Sequence, residues 1–181
     1  MRDARPRPAA VLTGGTRRLA RPAAVAGCML ALATAGCLGG GSDTPTDARS
    51  AAEYDVARAH FAKGQLREAL AKVEEALGHD DANAEAAYLG AVIMLAFCAG
   101  DPGSTDCRFA EAEKYARKAI AADPDLRDAK NALGVVLMHQ GRADDAIAVL
   151  KPLAEDIFYG APHKSWGNLG WAYLEKGDAD G

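Results

Sequence analysis

The strongest constraint on this chain is a pattern that returns at a fixed period. It is clearest in 129–150, AKNALGVVLMHQGRADDAIAVL. With Arg127 as the first position of a unit, Leu133 is seventh, Gly134 eighth, Leu137 eleventh, Gly141 fifteenth and Ala146 twentieth. The same frame places Trp166, Leu169, Gly170, Tyr173 and Gly177 at the fourth, seventh, eighth, eleventh and fifteenth positions of a later unit. In a unit beginning at Ser50 it finds Val56, Ala57, His60, Gly64, Ala69, Val73 and Ala76. Between them, 84–97 supplies a first helix and 109–122 a second, with Ala112 and Ala119, ending at Asp123-Pro124. Small residues such as Gly134 and Ala146 let two antiparallel helices approach closely, where larger side chains would push the axes apart. A period of this length is the mark of stacked helical hairpins, each burying its apolar face on the next. It is a packing code rather than a catalytic one.

These residues resemble the tetratricopeptide repeat across 50–181. The resemblance implies an all-α solenoid of helical hairpins with about three and a half repeats, at 50–83, 84–126, 127–162 and an incomplete 163–181. Composition agrees: 49% of residues are apolar but only 6% aromatic, and alanine carries much of that apolar count. The four His stand apart at 60, 79, 139 and 163. No Gly-rich phosphate loop and no Ser/His/Asp set is present, so no catalytic residue, cofactor or metal ligand is assigned. The chain is read as a non-enzymatic protein-binding module.

The N-terminal 36 residues differ in character. Six Arg and one Asp lie in 1–21, followed by an uncharged run rich in Ala, Val and Leu. A basic flank, a short apolar core and small residues before a cleavage point make a secretory signal, and the run is too short to span a bilayer comfortably. Thr34-Ala35-Gly36-Cys37 resembles a bacterial lipobox, which would make Cys37 the lipidated N-terminus of the mature chain. Cys28, after Val25-Ala26-Gly27, is the competing site, and an ordinary signal peptide with an incidental cysteine is the plainer alternative. Residues 37–50, opening Leu38-Gly39-Gly40-Gly41 after the cysteine, are expected to form a flexible tether. Leu38 after the cysteine, rather than Asp, favours outer-membrane delivery facing the periplasm. The chain from residue 37 onward carries 15 basic against 24 acidic residues, a net charge of −9. Such a domain is repelled by nucleic acid, which leaves a protein as the expected partner.

Within the repeats, 53–63 and 66–77 are expected to form the first hairpin, and Asp80-Asp81-Ala82-Asn83 to cap the helix that follows. The turn after 84–97 holds about nine extra residues, and Cys98 and Cys107 bracket the insertion CAGDPGSTDC. In an oxidising compartment the pair reads as a disulfide; a metal site is the rival, short of ligands. Pro152 should kink or stop its helix near itself. The connection 153–163 should be irregular, with Ile157, Phe158 and Tyr159 packing beneath it as core.

A narrower resemblance rests on Leu150-Lys151-Pro152-Leu153, Asp156, Tyr159, Pro162 and Trp166-Gly167-Asn168-Leu169-Gly170-Trp171-Ala172-Tyr173, with Cys107-Arg108 before Ala110-Glu111-Ala112-Glu113 and the lipobox. Together they resemble the outer-membrane tetratricopeptide-repeat lipoproteins of type IV pilus biogenesis, the pilotins, with Tgl-like proteins closest. What that implies is assistance to secretin subunits in reaching the outer membrane and assembling there. The family normally carries about six repeats, whereas Gly181 is the nineteenth position of the fourth unit, so the chain is expected to be a fragment or a truncated gene product. A generic periplasmic scaffold, or the adaptor part of a longer cell-wall enzyme, is the alternative.

In such a solenoid the second, fifth, ninth, twelfth and thirteenth positions of each first helix face the concave side. They select Tyr54, Arg58, Phe61, Tyr88, Val92, Leu95, Asn131, Val135, Met138, His139, Trp171 and Leu174. An apolar groove with occasional polar groups suits an amphipathic helix or an extended peptide; the competing reading is that these residues pack between repeats. The Lys/Asn carboxylate clamp of chaperone-binding repeats is absent, since Tyr54, Tyr88 and Asn131 occupy its places. The assigned register makes Ala146→Leu overpack its helix pair. A loss of about 1–3 kcal/mol is expected in urea unfolding, and an unchanged midpoint would count against the register.

Overall fold

The computed structural model describes residues 45–177, and within them seven helices and no strand. They are α1 Pro45–Ala62, α2 Leu66–His79, α3 Ala84–Gly100, α4 Phe109–Ala122, α5 Arg127–His139, α6 Ala143–Ala154 and α7 Pro162–Lys176. Cys28, Cys37 and the signal segment 1–36 lie outside the described residues.

Consecutive helices pack as antiparallel neighbours, and α1, α3, α5 and α7 also touch one another in sequence, which α2, α4 and α6 do not. The odd-numbered helices therefore line the inner side of the stack. All four odd helices start at one edge of the solenoid, and the even helices end there.

The turns inside the hairpins follow from one residue type at one repeat position. Gly64, Gly141 and Gly177, each fifteenth in its unit, have φ of 72°, 72° and 79°. Glycine meets no Cβ penalty in this left-handed region, so it ends the helix there. The freed carbonyls are recovered at once: Gln65 N–H donates to His60 O at 3.0 Å and Arg142 N–H to Leu137 O at 2.9 Å.

The second unit has Cys98 at that place. Without the glycine α3 continues to Gly100, beyond the expected end at 97, so the insertion begins after the helix rather than at Cys98. Two successive turns then bring the chain back, with Ser104 N–H donating to Asp101 O and Cys107 N–H to Ser104 O, both at 3.1 Å. Cys98 and Cys107 are bridged, with Cα atoms 4.4 Å apart. Arg67 on α2 pins the loop through Asp106 at 2.6 Å.

The core is built from small residues at helix crossings. Ala57, Ala69, Val73, Leu89 and Ile93 form one cluster. A larger one joins Ala116, Leu133, Leu137, Met138, Ala146, Leu150, Leu169 and Ala172 across three units. A Cβ added at Gly134 would lie 2.5 Å from Leu150 Cγ, and one at Gly90 2.8 Å from Tyr115 Cδ1, so both glycines are points of closest approach within a hairpin. Gly170, in the same repeat position as Gly134, has open space around it.

Two further expectations need correction. Helix α1 begins at Pro45, so the stretch expected to be a tether as far as Ser50 is helical in its last residues. Ser50 itself is fully buried and accepts a hydrogen bond from Asn83 Nδ2 at 2.8 Å, while Asn83 Oδ1 caps α3 through Ala86 N–H. Pro152 stands in the last turn of α6, which stops two residues later at Ala154, as expected. The proline ring nitrogen carries no hydrogen, so the carbonyl of Ala148 loses its intrahelical donor. Of the three side chains expected beneath the 153–163 connection, only Tyr159 is buried, with its hydroxyl donating to Asp128 Oδ1 at 2.8 Å. Ile157 and Phe158 are 89% and 78% exposed. They occupy the middle of a turn whose two ends are tied down, so the backbone directs both outward.

Two measurements check this architecture. Gly134→Ala should destabilise by about 1–3 kcal/mol because Leu150 must move, whereas Gly170→Ala should be neutral or stabilise by about 0.5–1 kcal/mol through helix propensity. Urea midpoints of the pair give the comparison. Replacing both Cys98 and Cys107 with Ser should lower stability by roughly 2–3 kcal/mol, from the chain entropy of a closed loop of about ten residues. Dithiothreitol should then shift the melting point of the wild type but not of the double variant.

Candidate peptide-binding groove

The inner helices present two clefts in succession. The first, of about 520 Å³, is lined by Tyr54, Arg58, Phe61 and Ala62 of α1 and by Tyr88, Leu89 and Val92 of α3. It gathers all five groove residues expected from its α1 and the first half of α3. Their spacing of three or four along each helix puts them on one face. Arg58 lies 5.6 Å from the centroid of the Tyr54 ring and also approaches Asp55 at 3.8 Å. Burial raises the pKa of the Tyr54 phenol, against the pull of Arg58, and burial likewise raises that of Tyr88 with Asp128 adding to it. Both rings therefore offer neutral hydroxyls at physiological pH. The cleft can take an apolar side chain, with a cation and two hydroxyls available at its walls.

The second cleft, of about 300 Å³, is formed by Leu95, Cys98 and Ala99 of α3, Pro102 of the insertion, Phe109 of α4, and Val135 and His139 of α5. Leu95, Val135 and His139 are in their expected places. The His139 ring stacks on Phe109 with centroids 4.8 Å apart, and Trp171 meets it edge-on at 5.1 Å. Trp171 thereby braces His139 without lining either cleft itself, its indole N–H donating to Glu175 at 3.1 Å.

Three other expected groove residues are elsewhere. Met138 is buried in the large core cluster, because α7 covers that side of α5. Asn131 Oδ1 accepts from Asn168 Nδ2 at 3.0 Å and from Ser165 Oγ at 3.4 Å, so its amide joins α5 to α7 instead of facing a ligand. Leu174 is 66% exposed at the last helix and lines neither cleft. Conversely, Phe109, Ala99 and Pro102 were missed, because the repeat frame gives no inward position to an insertion or to the start of a second helix. The available sign was Cys98 standing where the other units have glycine. The helix had to run on and carry the loop toward the inner side.

Residues 107–157 match the tetratricopeptide repeat family. No curated protein matches the sequence. Among solved structures, PilF of Pseudomonas aeruginosa superposes with a TM-score of 0.61 at 23% identity, covering 75% of this chain and 57% of that one. This chain thus spans little more than half the length of that relative. MamA gives a TM-score of 0.61 at 21% identity, covering 72% of this chain and 66% of that one. The TPR2B domain of yeast Sti1, solved as a complex with an Hsp70 peptide, gives 0.62 at 15% identity, covering 71% of this chain and 98% of the domain. With a family match from the second helix of the second unit through most of the third, and these neighbours over most of its length, the chain has the all-α helical-hairpin solenoid fold of tetratricopeptide-repeat proteins.

Proposed function

We propose that the chain is a lipid-anchored, non-enzymatic peptide-binding module of the bacterial outer membrane, and that its ligand is a segment of a secretin used in type IV pilus assembly. The observation that carries the binding part is the first cleft. Five side chains from two repeats converge there, and the combination of aromatic walls, Arg58 and neutral phenols suits an amphipathic helix or an extended segment. The secretin assignment is supported by the resemblance of the Leu150–Pro152, Asp156, Tyr159 and Trp166–Tyr173 pattern to the pilus lipoproteins. The anchor is supported by Cys37 in its lipobox.

The experiment is fractionation of cells making the wild type, Cys37→Ser, or Arg58→Glu with Tyr88→Ala, blotted for this chain and for the heat-resistant secretin multimer. Cys37→Ser should move the protein out of the outer membrane and remove the multimers with it. The groove variant should stay in the membrane yet bind the secretin at least tenfold more weakly, as truncation of a central aromatic anchor does. Multimers persisting in both variants would leave a lipoprotein, or a generic scaffold, of another pathway.

A further inference from the structure

Between α6 and α7 the chain makes a tight turn over 156–159, closed by Tyr159 N–H donating to Asp156 O at 3.1 Å. The middle of such a turn ordinarily holds Gly, Pro, Asn, Asp or Ser. Here it holds Ile157 and Phe158, the two most exposed large apolar residues among those described. The turn is firmly held. Asp156 takes the Phe158 N–H on one oxygen at 2.8 Å and the Arg127 guanidinium on the other. Those two bonds, the guanidinium first, hold the Asp156 carboxyl below its usual pKa. At the far end the buried Tyr159 is fastened to Asp128. Two apolar side chains are thus fixed outward by a polar frame that buries neither of them.

We infer that Ile157 and Phe158 insert into the bilayer surface, giving the domain an apolar membrane contact beside its N-terminal lipid. This rests on the lipoprotein reading. Topology supplies the argument: helices alternate in direction, so the start of α1 and the α6–α7 turn share one edge of the solenoid. The Asn83–Ser50 bond ties α1 to the α2–α3 turn on that edge, and the Arg127 and Asp128 bonds tie the 156–159 turn to the start of α5. Pro45 follows Cys37 by eight positions in the sequence, a reach of at most about 28 Å. A lipid on Cys37 therefore brings this edge toward the bilayer rather than the glycine-turn edge. Lys151 in the last turn of α6, and His163 and Lys164 at the start of α7, are exposed. Their polar ends can meet headgroup phosphates while the stems lie along apolar surface. No described helix is long and apolar enough to cross a membrane, so the contact is peripheral. Asp80, Asp81, Asp123, Asp125 and Glu155 share the edge and make neutral lipid the favoured surface.

The test uses phosphatidylcholine/phosphatidylethanolamine vesicles and the full chain, lipidated and as Cys37→Ser. In the lipidated Phe158→Trp variant, brominated acyl chains should quench emission beyond the baseline of Trp166 and Trp171 in the wild type. On the Cys37→Ser background, Ile157→Ser with Phe158→Ser should reduce co-sedimentation with vesicles about tenfold or more. The melting point should stay unchanged, since neither side chain is packed. Phosphatidylglycerol at low salt should weaken binding. Emission of the Phe158→Trp variant quenched no further than the wild type, together with equal co-sedimentation of the serine variant, overturns the inference. It does so equally if the serine variant loses secretin capture, which would make the turn a protein contact. If mass measurement finds no acyl chains on Cys37, the lipoprotein reading fails by itself. The inference then falls with it unless the vesicle arms give the expected tenfold loss, which sustains the apolar contact independently.

Discussion

How near two helices of a hairpin can lie sets the geometry of everything else here. At Gly134 the backbone of α5 comes so close to Leu150 of α6 that even a methyl group has no room, and Gly90 meets Tyr115 in the same way one unit earlier. Ala57, with no exposure, does the corresponding work in the first hairpin. Close axes let a modest side chain fill the whole space between helices, so the core needs few large residues. Dispersion contacts, tiny one by one, accumulate because the surfaces are flat and near. Aromatic side chains are then free for the inner surface.

The inner surface has two halves of different chemistry. In the first, tyrosine hydroxyls and a guanidinium border an apolar floor. The second is bounded by stacked rings and a disulfide, and offers almost no polar group. A ligand lying along both would place its hydrogen-bonding groups at the α1–α3 end and its bulkiest apolar groups at the α3–α5 end. The boundary coincides with the unit that carries the insertion.

Much of this was legible from spacing alone. The period located the hairpins, the left-handed glycines and the five side chains of the first cleft, because each follows from the place of a residue within its own unit. What the period could not supply were fates decided by a later helix. Met138 and Asn131 occupy inward positions by register, but α7 covers one and engages the amide of the other. Ile157 and Phe158 show the opposite failure. Apolar character predicts burial only where the backbone permits it, and hydrophobicity is an uneven guide, since much of any protein surface is apolar. A turn anchored by Asp156 and Tyr159 left those two no inward route.

The bridge between Cys98 and Cys107 has a consequence for the order in which the array assembles. A stack in which each unit touches only its neighbours behaves as a one-dimensional chain of coupled segments, free to nucleate wherever local order is cheapest. Cross-linking the second unit reduces the freedom of its unfolded form before any neighbour has docked. The first seed of structure should therefore form around α3 and α4, and helices should be added outward from there in both directions.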